Sequence, residues 1–168
     1  DDMGFVLGFK VSQRRPVGLP AERINAPGDL NRPVNATVAA SSGPSPQPTP
    51  RTLSHVVYFV PDAARAEAFY VERLGFRLVD RFIGMGPFLR PAGTIDHHTL
   101  FMIQTPPHMQ GCEHFTFHMG GPSEVFTAGW NLANKGYQSY WGPGRHRFGS
   151  NWFWYFNTPF GWHIEYDA

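Results

Sequence analysis

From Leu53 onward, apolar and polar positions run through one scheme twice. Leu53–Val60 (LSHVVYFV) is dense in β-branched and aromatic residues and predicts a strand. Asp62 is placed to cap a helix carrying Ala66, Phe69, Tyr70 and Leu74 at helical spacing, and Gly75 is placed to stop it. Strands are expected next at about Phe76–Ile83 and His97–Ile103. The second pass opens on Cys112–Met119 (CEHFTFHM), again a strand. Ser123 is expected to cap a helix with Phe126, Trp130 and Ala133 on one face, and Gly136 to end it. Further strands are expected at about Gly149–Phe156 and Trp162–Tyr166. Each pass reads as strand, helix, then several strands, a βαβββ unit of about 55 residues, within the range of structural repeats. The predicted fold class is α+β, with two βαβββ modules forming a curved mixed sheet or open barrel.

The chain before this repeat has a different character. Half of the 16 prolines lie at positions 16, 20, 27, 33, 44, 46, 48 and 50, whereas all eight histidines lie after residue 52. Asp1–Val11 (DDMGFVLGFKV) reads as a glycine-containing turn and then a strand. Ser41–Pro50 (SSGPSPQPTP) alternates prolines that favour extended polyproline conformation, which makes it a tether. The expected organisation is an arm and proline-rich linker over 1–52, either the tail of a missing N-terminal domain or a packed arm, and a catalytic domain over 53–168. The arm is expected to carry no catalytic residue. Because isolated modules of this kind expose sheet edges, a homo-oligomer or pairing with an N-terminal domain is expected.

Composition removes several function classes. Hydrophobic residues make up 42% and charged residues 16% of the 168, so the bulk of the chain should fold. A net charge of +1 supplies no basic field for phosphates, so nucleic acid is not an expected partner. Apolar runs fall far short of the roughly 20 residues needed to span a bilayer, so neither is a membrane. Cys112 stands alone and can form neither an internal disulfide nor a multi-thiolate metal site, which fits a reducing, cytoplasmic setting.

The histidines carry the chemistry. His55 and His114 hold equivalent places in the first strand of each module, 59 residues apart. Imidazoles on equivalent strands of a pseudo-symmetric sheet can meet at its internal axis. Glu165, flanked by Ile164 and Tyr166, is a carboxylate in an apolar strand that needs a counter-charge or a metal. Singly, each residue reads as an ordinary strand histidine or a solvated glutamate; jointly they match the two-histidine, one-carboxylate ligand set of non-haem Fe(II) oxygenases.

Four blocks then acquire a family likeness. LSHVVYF, DHHTLFM, CEHFTFH and the stretch GPGRHRFGSNWFWYFNTPFGWHIEY from Gly142 to Tyr166 resemble type I extradiol catechol dioxygenases of the vicinal oxygen chelate superfamily, over roughly residues 53–167. The resemblance implies metal ligands His55, His114 and Glu165, with Fe(II) as cofactor and Mn(II) as the other candidate. It implies that His98 acts as acid and base beside bound O2, and that His146 and Tyr155 hydrogen-bond a catechol-type substrate; His146 to Tyr155 to Glu165 keep the family spacings of nine and ten residues. It also implies an N-terminal domain without metal, of which Asp1–Val11 would be the last strand: Gly4 aligns with Gly161, and Gly8 falls where Glu165 would. Two positions depart from relatives. Val57 stands where some place an asparagine, and the neighbourhood of Trp141 lacks the basic residue that can accompany carboxylated catechols, which points to an uncharged, substituted or bicyclic aromatic diol. Two other readings stay open: a glyoxalase-type isomerase, which would not need His98, His146 and Tyr155, and a non-catalytic small-molecule-binding module, which would not need the triad. His97, His118 and His163 are expected to be structural or pocket-lining, and His108 exposed.

Overall fold

The computed structural model describes residues 1–11, 13, 20–30 and 48–168. The tether therefore lies outside the described residues through position 47. Among the described residues the elements follow as β1 (Thr52–Val60), α1 (Ala63–Ala68), β2 (Phe76–Phe82), β3 (Gly86–Pro91) and β4 (Leu100–Gln104), then β5 (Gly111–His118), α2 (Pro122–Asn134), β6 (Ser139–Arg145), β7 (Trp152–Asn157) and β8 (His163–Asp167). This is βαβββ twice, an α+β fold with a mixed sheet, as the repeat predicts. The chain divides into two compact units, residues 1–16 with 55–115 and residues 17–54 with 116–168, and the boundaries after residues 54 and 115 fall inside strands, in β1 and in β5. No described helix is long and apolar enough to cross a membrane.

In the first unit the strands are ordered β2-β3-β4-β1-β5. β1 and β4 run parallel with Val56 opposite Leu100, and β3 runs antiparallel to both β2 and β4. Asp62 caps α1 as expected, its carboxylate accepting from the Arg65 N–H at 2.9 Å. The helix then widens into a π-helical turn over Phe69–Arg73 and stops at Gly75, whose φ of +71° suits glycine. Ala63, Ala66 and Tyr70 face a core of Val60, Leu89, Leu100 and Met102. Residues 5–11 carry no strand, contrary to expectation, although the Gly4 turn is present. Instead Met3 is buried in this core and Phe5 stacks on Tyr58 with ring centroids 4.6 Å apart. The Asp1 carboxylate accepts from the Met3 and Phe5 N–H groups and from the Tyr70 hydroxyl at 3.2 Å. Burial, with a smaller contribution from Tyr58, pushes the Tyr70 phenol up to about 12.

Two strand boundaries in this unit differ from the sequence reading. β3 was hidden, because GPFLRP carries prolines at both ends that argue against a strand. The strand expected from His97 begins only at Leu100, since residues 96 and 97 form a bend. The Arg90 guanidinium holds this loop, donating to the carbonyl oxygens of Thr94 and, at 3.2 Å, Asp96. Across the unit, β2 slips register against β3 between Leu78 and Asp80, so Val79 is the extra residue of a bulge.

In the second unit the order is β5-β8-β7-β6, with β7 antiparallel to both neighbours. α2 starts differently from expectation: Gly121 is the cap, Pro122 opens the first turn and Ser123 already lies inside it. Both the Ser123 N–H, at 2.8 Å, and its hydroxyl donate to the Glu22 carboxylate, so a side chain from the preceding segment does the capping. The buried face is also not the expected one. Val125, Ala128 and Gly129 point inward, while Phe126 and Trp130 are exposed. The helix lies against the Trp154 indole, where a Cβ at Gly129 would come within 2.1 Å of a ring carbon, so glycine alone fits there without a shift. Val125 and Ala128 pack there with Met119, Trp154 and Phe156. Gly136, at φ +87°, ends the helix segment as predicted.

Candidate metal centre

In the first unit, His55 on β1 and His114 on β5 are both buried, with their Nε2 atoms 3.3 Å apart. The Glu113 carboxylate meets His114 at Nδ1. A carboxylate only accepts, so Nδ1 carries the proton and the neutral ring is left with its lone pair on Nε2. His98 packs against His55 with centroids 4.4 Å apart, and buried Phe88 sets its edge or face against both His97 and His98, at 5.3 and 4.9 Å. His55, His98 and His114 are thus brought together.

In the second unit, Glu165 on β8 is fully buried. The Thr116 hydroxyl donates to its Oε2 at 2.6 Å, and His146 Nε2 meets its Oε1 at 3.0 Å. The same His146 nitrogen lies 3.2 Å from the Tyr155 hydroxyl. Because the carboxylate must receive, that Nε2 is protonated and shared between the carboxylate and the phenol oxygen. His146 stacks on Phe153 at 3.9 Å, and Trp141 stacks on Tyr155 at 5.4 Å, giving an aromatic wall of four rings. β7 and β8 put Tyr155 directly opposite Glu165. His146, Tyr155 and Glu165 therefore also converge.

Side chains alternate along β5, so His114 and Thr116 fall on the same face of that strand. In the first unit His55 and His114 each offer a buried ring nitrogen, and in the second Glu165 offers a buried carboxylate oxygen. Ring nitrogens and a carboxylate are donors that suit a divalent cation accepting mixed nitrogen and oxygen ligands.

Of the other histidines, two have structural partners and one lies on the surface. His118 bonds the buried Asp167 through Nδ1 at 2.8 Å, His163 stacks on Tyr140 at 3.8 Å, and His108 is exposed in a short 3₁₀ turn, Pro107–Met109. Glu113, Thr116 and Trp141 were missed as parts of the site. Thr116 was legible, since it stands two residues from His114 on a strand; nothing in the sequence marks Glu113 as bending back onto its neighbour.

Residues 52–166 match the family model of the Glyoxalase/Bleomycin resistance protein/Dioxygenase superfamily. The chain belongs to this superfamily. This member is 38% identical over 119 residues to metapyrocatechase 2 of Cupriavidus necator, covering 71% of this chain and 37% of that protein. It is 35% identical over 106 residues to biphenyl-2,3-diol 1,2-dioxygenase of Pseudomonas sp. strain KKS102, covering 54% of this chain and 32% of that protein. Among solved structures, the Mn(II)-bound glyoxalase from Novosphingobium aromaticivorans aligns at 31% identity with a TM-score of 0.64, covering 70% of this chain and 38% of that one. The superfamily member thus spans about a third of the length of the curated relatives it matches.

Proposed function

We propose that this chain is the catalytic portion of a non-haem iron-dependent extradiol dioxygenase, which cleaves the ring of a catechol or bicyclic aromatic diol with O2. His55, His114 and Glu165 hold the metal. His98 is the acid and base, and His146 with Tyr155 orients the diol. The observation that carries this reading is the convergence of His146, Tyr155 and Glu165, because a metal-binding module without ring-cleavage chemistry has no use for a shared imidazole and phenol on its carboxylate. Similarity to metapyrocatechase 2 and to a biphenyl-2,3-diol dioxygenase supports it independently.

An ion held by His55, His114 and Glu165 would supply Lewis-acid activation of the diol and redox chemistry toward O2. The remaining work falls to side chains. Glu113 fixes the tautomer of His114, and the Thr116 hydroxyl holds one oxygen of Glu165 so that the other is aimed. Trp141, Phe153 and Tyr155 offer an apolar, aromatic wall that suits an uncharged ring. Fe(II) is the proposed ion, with Mn(II) as the second candidate, since the same donors accept either. The unpaired Cys112 fits a cytoplasmic setting. Residues 1–52 are proposed to serve as arm and linker to the 53–168 domain, and the protein to work as a homo-oligomer or with an N-terminal domain.

A second reading has one observation in its favour, the likeness to a Mn(II)-bound glyoxalase. One experiment separates them. The chain is loaded anaerobically with Fe(II), mixed with a panel of catechols, and exposed to O2. A yellow ring-fission product with one O2 consumed per diol is the expected result; thiohemiacetal isomerisation with Mn(II) and no ring fission would replace this reading with the second.

A further inference from the structure

A chain of three side chains leads to His98 from outside the metal group. The Asp80 Oδ1 accepts from the N–H of Arg81 at 2.7 Å, which leaves Oδ2 directed at His97 Nε2, 3.4 Å away. His97 Nδ1 in turn faces His98 Nδ1 at 3.0 Å. Three local features build this line. The β2 bulge puts Asp80, not Val79, opposite Phe88, and Phe88 packs edge-on to both imidazoles. The bend at residues 96 and 97, held by Arg90, lets adjacent rings meet, whereas neighbours in a regular strand point to opposite faces. The Arg81 side chain is engaged elsewhere, with Glu67 at 2.8 Å, so it does not compete for the Asp80 carboxylate.

Donor and acceptor rules then propagate along the line. A carboxylate can only accept, so His97 carries its proton on Nε2. A neutral His97 therefore has a bare Nδ1, which can only accept. The proton between the two rings must then come from His98, which fixes His98 as the Nδ1–H tautomer with an unprotonated Nε2. We propose that Asp80 and His97 are positioning residues that hold His98 with its lone pair on Nε2, ready to take a proton. The inference rests on the role given to His98 under the proposed function, but the tautomer itself is observable without any turnover.

The test is ¹⁵N NMR of the full chain labelled at histidine, at mildly alkaline pH where imidazoles are neutral. Wild type should show His98 protonated at Nδ1 and His97 at Nε2. In Asp80→Asn the Arg81 N–H still holds the side-chain oxygen, so the amide NH₂ is presented to His97; both rings should invert, leaving His98 protonated at Nε2. Asp80→Ala, which removes the constraint at a half-exposed position, should leave His98 as a mixture of tautomers. A wild-type His98 protonated at Nε2, or a His98 unchanged in either variant, overturns the proposal. In the ring-cleavage assay Asp80→Asn should lower kcat and leave KM in place, with the loss bounded by the about 10²–10⁴-fold that a general acid–base group contributes. A loss confined to KM would also overturn it. If the wild type cleaves no diol, the proposed function fails, yet the NMR result still decides the tautomer.

Discussion

The Nε2 atoms of His55 and His114 face each other at 3.3 Å although 59 positions separate the residues in the chain. That separation is one period of the βαβββ repeat, so the duplicated first strand brings the same atom of the same side chain to one place twice. With the lone pair of His114 on Nε2, a proton on His55 Nε2 can bridge the two rings, and a cation at the same place would take over from that proton.

Metal content should follow the three proposed ligands. His55→Ala and Glu165→Ala are each expected to lose iron and ring cleavage together, read by elemental analysis after anaerobic loading. Glu113→Gln should keep the fold but weaken metal affinity about 10–100-fold, the usual effect of losing a carboxylate behind a ligating histidine. Full iron occupancy in either alanine variant would remove that residue from the ligand set.

His98→Phe should retain metal and bind diol while turnover falls about 10²–10⁴-fold, since it removes the proposed acid and base but leaves the proposed ligands in place. An unchanged kcat would exclude His98 from the chemistry.

Thr116→Val should destabilise the protein by about 1–3 kcal/mol, because it leaves a buried carboxylate oxygen without its hydroxyl donor. Thr116→Ser keeps the donor and should recover most of that loss. Urea denaturation of both variants decides the matter, and equal stability of wild type and Thr116→Val would show that the hydroxyl contributes nothing.

Alkaline titration should reveal Tyr70 as a late-ionising phenol, with Tyr58 and Tyr166 also raised by burial. Tyr70 is raised above the ordinary tyrosine value of about 10 to about 12, so its neutral form is favoured in the folded state. Its contribution to stability is fully present below the unfolded value and is lost as pH rises through the folded one. The absorbance step near pH 12 should vanish in Tyr70→Phe; persistence of that step would assign it to another tyrosine.

Gly129→Ala should cost about 1–3 kcal/mol, as overpacking does, because the added carbon would meet the Trp154 ring at 2.1 Å. A midpoint of thermal unfolding equal to wild type would mean that the helix shifts freely away from the sheet.

How much of this was legible depended on which interactions set each feature. Asp62, Gly75 and Gly136 were readable because caps and stops act within one turn of their own residue. The inward face of α2 was misread because a Phe126 and Trp130 stripe looks like a core face, and only the approach of Trp154 dictates that small residues turn inward. β6 was hidden by prolines and glycines that a strand at the end of the sheet tolerates, and β3, paired on both sides, by the prolines near its two ends. His97 and Asp80 were passed over since a bulge and a bend aim them, and neither has a sequence period. His55, His114 and Glu165 were marked by the repeat and by a carboxylate in an apolar strand, whereas His98, His146 and Tyr155 came only with family spacing, which records tertiary contacts that local patterns do not carry.

β5 runs unbroken from Gly111 to His118, with His114 and Thr116 on one face. Inserting or deleting a single residue between them would turn Thr116 and everything after it to the opposite side. Substitution at Phe115 asks only for another strand former, whereas a change of length there detaches the Glu165 anchor from the histidine beside it. This strand should therefore tolerate a change of side chain at Phe115 far better than a change of length, so that its residue count, and not its spelling, is what keeps His114 and Thr116 on one side.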